Sequence, residues 1–110
     1  MIREGHIILF RFPQTDLSSG KLRPALVLRK LLGGYNDWLI CMISSQLRQQ
    51  IDGLDDLIIE SDHDYKKSGL KTASLFRVSR IAVVESTTLL GVLGEISATR
   101  LSNIQTSLAS

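Results

Sequence analysis

Hydrophobic positions along this chain fall in short runs separated by polar breaks, and only the last stretch carries a helical period. Residues 6–12 (HIILFRF) are rich in β-branched and aromatic side chains and stop at Pro13, which predicts a strand. Residues 13–22 (PQTDLSSGKL) gather Thr, Asp, Ser and Gly, the composition of a loop. A second strand over 25–29 is opened by Pro24 at its first edge, where a missing N–H is tolerated. Residues 33–37 make a turn, and residues 38–43 (WLICMI) are apolar throughout, so this third strand is expected to be buried on both faces. Residues 44–53 leave the sheet as a polar loop, and 56–60 (DLIIE) predict a fourth strand. Residues 61–71 form a charged, mobile-looking loop ending near Gly69. Residues 73–78 and 80–84 are two strands or one bent strand, and 89–96, with two glycines, suits a short strand better than a helix.

The end of the chain changes character. Leu101, Ile104 and Leu108 recur at spacings of three and four, which is one face of a helix, and Ser97 is placed to cap it. Five to seven short strands followed by one helix, without βαβ alternation or internal repeat, predict a small, strongly bent β-barrel with an appended helix. At 110 residues this is one domain, residues 1–110.

Composition narrows the chemistry. No apolar run approaches the ~20 residues of a membrane helix. The first five residues have no apolar core, and the run that follows is broken by Arg11 and Pro13. A cytoplasmic protein without membrane contact is the expectation. The single cysteine, Cys41, excludes an internal disulfide framework and a Cys-rich zinc site, and its apolar strand predicts a buried thiol rather than a nucleophile. His6 and His63 stand apart with no metal-ligand spacing, and no glycine-rich phosphate loop is present. No metal and no cofactor are expected.

The formal charge of +2 is unevenly spread. Arg3, Arg11, Lys21, Arg23, Arg29 and Lys30 face only Glu4 and Asp16 in the first third, whereas Asp52, Asp55, Asp56, Glu60, Asp62 and Asp64 crowd the middle. The acidic stretch reads as a solvated insertion, with a loop that gates a groove as the alternative. Two local features stand out. Arg23-Pro24, between a polar loop and a strand, aims a planar guanidinium suited to phosphate oxygens from a rigid base. Ile43-Ser44-Ser45-Gln46 ends an apolar strand in two hydroxyls and an amide at the rim of a sheet.

Taken in order, these features resemble a family. Residues 5–28, from Gly5 through Ile7-Ile8-Leu9-Phe10, Phe12-Pro13, Thr15-Asp16-Leu17-Ser18-Ser19-Gly20-Lys21 and Arg23-Pro24-Ala25-Leu26-Val27-Leu28, look like the opening of the PemK/MazF-like toxins of type II toxin–antitoxin systems. Ile43-Ser44-Ser45-Gln46 is similar to their second motif. Gly69-Leu70 with Ser74 and Arg77 resembles the third block, and Leu93-Gly94 with the terminal helix resembles the last.

The resemblance implies a mainly β fold, an SH3-like β-barrel with a C-terminal α-helix, working as a homodimer. It implies metal-independent cleavage of single-stranded RNA at short sequences, leaving a 2′,3′-cyclic phosphate and a 5′-hydroxyl, and a cognate antitoxin as partner. Residue by residue it makes Arg23, Ser44 and Arg77 the catalytic candidates. Arg23 would stabilise the phosphate, the Ser44 hydroxyl would donate to a phosphate oxygen, and Arg77 would act as an acid or electrostatic group. Thr15, Asp16, Lys21, Gln46 and Ser79 are the candidates for RNA contact. The chain departs from the pattern at His6, where the family usually has Asp or Glu, at Ser79, where some members carry a catalytic Asp, and at Ala82, where a later arginine falls. A barrel of the same ancestry that binds RNA or a protein partner without cutting is therefore the alternative, and a general SH3-like interaction module a third. Trp38 and the apolar third strand call for cover on both sides, which a second copy of the chain would supply.

Overall fold

The computed structural model describes residues 2–11, 21–33 and 35–109. In chain order these form β1 (His6–Arg11), β2 (Leu22–Lys30), β3 (Asp37–Ser44), a 3-10 turn (Leu47–Gln49), β4 (Asp56–Ile58), the single-turn helix α1 (Tyr65–Ser68), β5 (Ser74–Glu85), a second 3-10 turn (Ser86–Thr88), β6 (Leu89–Glu95) and α2 (Ala98–Ala109). The strands pair antiparallel in the order β4-β5-β3-β2-β1-β6.

That order dictates the shape. In a flat sheet β5 and β6 would lie four inter-strand steps, roughly 19 Å, apart. Yet only Ser86–Thr88 joins them, and a 3-10 turn advances about 2 Å per residue. The sheet must curl until the end of β5 meets the start of β6. It is nevertheless not closed: β4 and β6 remain the two edges of the ladder, so the expected barrel is an open, curled sheet. The reason lies at Gly69 and Gly94. A Cβ on Gly94 would collide with the carbonyls of Lys67 and Ser68, and one on Gly69, a left-handed C-cap with φ 73°, would collide with the Leu93 backbone. The segment carrying α1 thus lies backbone to backbone on β6 where a further strand would otherwise sit.

Curling gives the sheet two apolar faces. Ile7, Leu26, Leu28, Cys41, Ile43 and Phe76 form the larger core, closed by Leu101, Ile104 and Leu108 of α2. Burial of Ile104, 2% exposed, contributes about 2–3 kcal/mol. Ile8, Ala25, Val27, Trp38 and Ile40 form the smaller core on the other face. The third strand is buried on both faces, as expected. Its cover comes from the same chain, however: Trp38 is 6% exposed, with Lys30 Nζ 5.8 Å from the ring centre and Phe10, Val84 and Leu89 against its core. Trp38 needs no second copy.

Residues 73–84 resolve as one strand with a bulge. Met42 pairs with Arg77, but its neighbour Cys41 pairs with Ile81, so Val78, Ser79 and Arg80 are extra residues on β5. An odd insertion inverts the alternation. Phe76 and Val78 face the helix-covered core, whereas Ala82 and Val84 face the smaller one.

The acidic middle is solvated only in part, with Asp52 and Glu60 exposed. Arg100 on α2 gathers three of its aspartates. Its Nε and one terminal nitrogen donate to Asp64 at 2.8 and 3.1 Å, and further bonds reach Asp56 at 2.6 Å, Asp62 at 3.0 Å and the Leu57 carbonyl at 3.0 Å. Asp64 also accepts the Ser97 N–H, and the Ser97 hydroxyl accepts the Arg100 N–H as the predicted helix cap. Burial pushes the Asp64 carboxyl up, but the Arg100 and Ser97 hydrogen bonds outweigh it and hold its pKa at about 2. Residues 61–71, expected to be mobile, are thereby tied to the start of α2, with Asp64 and Ser68 buried.

Candidate active site

Pro24 shapes the site. The β2–β3 ladder runs from Lys30↔Trp38 to Ala25↔Met42 and stops one residue short of Pro24, beyond which β2 is paired only with β1. A residue without an N–H is tolerated there. It lies within β2 rather than at its start, because the strand continues to Leu22 along β1. Past Ala25 the two strands part, while β3 stays paired with β5 through Ser44↔Leu75. The gap is a cavity of about 210 Å³ lined by Arg23, Met42, Ile43, Ser44 and Arg77. All three catalytic candidates meet in it, from three strands.

The polar groups are ordered by their chemistry. The Gln46 N–H donates to Ser44 Oγ at 3.0 Å. With that lone pair used, the hydroxyl proton points onward, and Gln49 Oε1 lies 3.4 Å away. Arg77 donates from a terminal nitrogen to the same Gln49 oxygen at 3.1 Å. The Arg77 Nε is buried with no hydrogen-bond partner among the described residues. Among the described residues the lining therefore offers guanidinium and hydroxyl donors, and none of them is a carboxylate or a histidine. This arrangement suits an anion with several acceptor oxygens.

The remaining candidates are placed differently. Thr15 and Asp16 lie outside the described residues. Lys21 is exposed just before β2, and Gln46 is exposed and supports Ser44 through its backbone. Ser79 sits in the β5 bulge, where its N–H and hydroxyl both donate to Asp55 at 3.1 Å. His6 starts β1 and its Nδ1 accepts the Arg3 N–H; burial and Arg3 lower its pKa. Cys41 is fully buried and burial pushes its thiol far up, which suits a structural role. Two residues of the site went unforeseen. Gln49 belongs to a run of glutamines and Asp55 to a run of aspartates, and neither run marks which member turns inward. Among the described residues, no group of His, Cys, Asp or Glu is arranged as a metal-ligand set, and no helix is long and apolar enough to cross a membrane.

Comparison with known proteins bears on this geometry. A solved structure described as an endoribonuclease in complex with its cognate antitoxin from Mycobacterial species is similar in fold, with a TM-score of 0.64 and 15% identity, over 99% of this chain and 92% of that one. No curated protein matches significantly. The family profile for the PemK-like, MazF-like toxin of type II toxin–antitoxin systems matches residues 3–110, nearly the whole chain. With the Arg23-Pro24 strand and the Ser44 rim meeting in one cavity, the protein belongs to the PemK-like, MazF-like toxin family of type II toxin–antitoxin systems.

Proposed function

We propose that this toxin is an endoribonuclease that cuts single-stranded RNA without a metal, binding the scissile phosphate in the Arg23–Ser44–Arg77 cavity. The observation that carries the reading is the convergence of these three side chains, from three strands, on one donor-lined cavity. The 2′-hydroxyl of the RNA gives up its proton and attacks the adjacent phosphorus, the bond to the 5′-oxygen breaks and that oxygen takes up a proton, and the products are a 2′,3′-cyclic phosphate and a 5′-hydroxyl. Arg23 and Arg77 offset the negative charge that builds on the pentavalent phosphorus, and the Ser44 hydroxyl donates to a non-bridging oxygen. Lys21 and Gln46, exposed nearby in sequence, contact the flanking RNA, as do Thr15 and Asp16. Ser79 is a weaker candidate for such contact, since its hydroxyl is engaged by Asp55.

The partners follow the same reading. An antitoxin partner fits the neighbour solved with its own antitoxin. Toxin and antitoxin meet in the cytoplasm, and the antitoxin covers the RNA site. Exposed Ile81, Val83, Leu90 and Val92 supply apolar surface for a homodimer, which sedimentation at micromolar concentration tests.

A second reading, binding without cutting, is favoured by one observation: among the described residues, the lining holds no carboxylate or histidine to take a proton from the 2′-hydroxyl. Incubating the purified protein with long RNA and EDTA, beside Arg23→Ala, separates the two. Cleavage that leaves 5′-hydroxyl ends and is lost in Arg23→Ala supports the enzyme. Intact RNA that is still bound supports the second reading, and cleavage by Arg23→Ala equal to wild type overturns the proposed site.

A further inference from the structure

The cavity's donors are partly occupied by the protein itself. Gln49 is exposed on the 3-10 turn that follows β3, yet its side chain reaches back across the site, 28 residues from Arg77 in sequence. Arg77 can only donate, so the amide must present its oxygen. That oxygen lies 3.1 Å from the Arg77 terminal nitrogen and 3.4 Å from Ser44 Oγ, whose other side is held by the Gln46 N–H. Two donors assigned to substrate thus converge on one neutral carbonyl oxygen of the chain.

We propose that Gln49 is an internal stand-in for a phosphate oxygen, a latch that keeps Arg77 and Ser44 aligned in the empty site and must be displaced when an anion enters. The proposal rests on the anion-site reading above and adds its regulation. The exchange favours the ligand because a charged phosphate oxygen forms hydrogen bonds roughly twice as strong as a neutral amide oxygen does. The latch is also removable. Its turn buries no residue, so the amide can swing into water without opening the core. Its cost is competition, since every binding event must first break the bond to Arg77. The Arg77 Nε is buried and has no partner among the described residues while Gln49 holds the terminal nitrogen, so the amide leaves one donor of this guanidinium unsatisfied.

The test compares wild type, Gln49→Ala, Gln49→Glu and Arg23→Ala for binding of a single-stranded RNA oligonucleotide carrying 2′-O-methyl riboses, which cannot be cut. Fluorescence anisotropy gives the affinities and thermal unfolding checks the fold. Gln49→Ala should bind about three- to tenfold tighter, the equivalent of one net hydrogen bond no longer broken. Gln49→Glu should bind at least about tenfold weaker, because a carboxylate holds Arg77 by a charge-assisted bond and repels the phosphate. Both variants should still unfold cooperatively, shifted by no more than the several degrees that one hydrogen bond is worth, so opposite shifts in affinity cannot come from loss of the fold. If Arg23→Ala is impaired while Gln49→Ala binds equally or more weakly than wild type, the latch is wrong and the site stands. If Arg23→Ala binds as wild type does, the anion site falls and the latch falls with it.

Discussion

Ser79 gives both its N–H and its hydroxyl to one carboxylate oxygen of Asp55, each at 3.1 Å. The other Asp55 oxygen accepts the Ile51 N–H at 3.1 Å, so one buried side chain ties the 51–55 turn to the β5 bulge. Because the bulge begins directly after Arg77, this tie also fixes where the Arg77 backbone enters the site. Asp55→Ala would leave two backbone N–H groups without their acceptor and should cost about 2–4 kcal/mol, whereas Ser79→Ala should cost about 1 kcal/mol. Urea unfolding of the two variants measures both, and equal costs would show that the main-chain bonds contribute nothing.

Arg100 is the second fixed point. Replacement by Lys keeps the charge but loses the planar fork that serves Asp56, Asp62 and Asp64 together. We expect Arg100→Lys to lose about 2–4 kcal/mol, near the range for breaking a buried ion pair. The pH dependence has a definite sign. The Asp64 pKa is lowered from 3.8 to about 2 on folding, so its contribution is complete above pH 3.8 and is lost as pH falls toward 2. In Asp64→Asn the decline in unfolding temperature over that window should be shallower than in wild type; a parallel decline would show that Asp64 plays no part in it.

Salt separates the roles proposed within the candidate site. Each phosphate neutralised on a single strand contributes about −0.7 to the slope of log affinity against log salt. Arg23→Ala should make the slope shallower by about 0.7, measured on uncleavable RNA. Ser44→Ala removes no charge and should leave the slope unchanged while slowing cleavage roughly 10²-fold, the scale for loss of one transition-state donor. A steeper or unchanged slope in Arg23→Ala would mean that this guanidinium meets no phosphate.

The closeness of α1 to β6 makes a sharp pairwise prediction. Gly94→Ala drives a methyl group into the Lys67 and Ser68 carbonyls and should destabilise by about 2–3 kcal/mol. Gly91→Ala, in the same strand with open space around it, should be nearly neutral. Thermal unfolding of both variants checks this, and similar behaviour would mean that α1 does not lie on β6 as described.

Much of this was legible in the sequence because it depends on local pattern. The apolar runs marked the strands, the spacing of Leu101, Ile104 and Leu108 marked α2, and Ser97 marked its cap. Arg23-Pro24 and Ser44 stood out singly as donors at strand boundaries and were joined by the family resemblance, and the structure lines one cavity with both. The rest depends on what meets what across the fold. That three aspartates converge on Arg100, 36 to 44 residues away, is a property of the curled sheet and not of the acidic run. Gly69 and Gly94 resemble any turn or strand glycines until their backbones touch. Gln49 becomes distinct from its neighbours only when the 3-10 turn points it at Arg77.

The bulge at Val78–Arg80 has a consequence for how this chain can vary in length. Because three residues are extra there, gain or loss of two would preserve which face each later side chain occupies. Gain or loss of one would exchange inside and outside for the whole remainder of β5, carrying Ala82 and Val84 out of the smaller core and Ile81 and Val83 into it. Single-residue indels at this one point should therefore act like multiple core mutations, while paired ones pass as a change of loop, which makes β5 a strand whose tolerance is set by parity rather than by size.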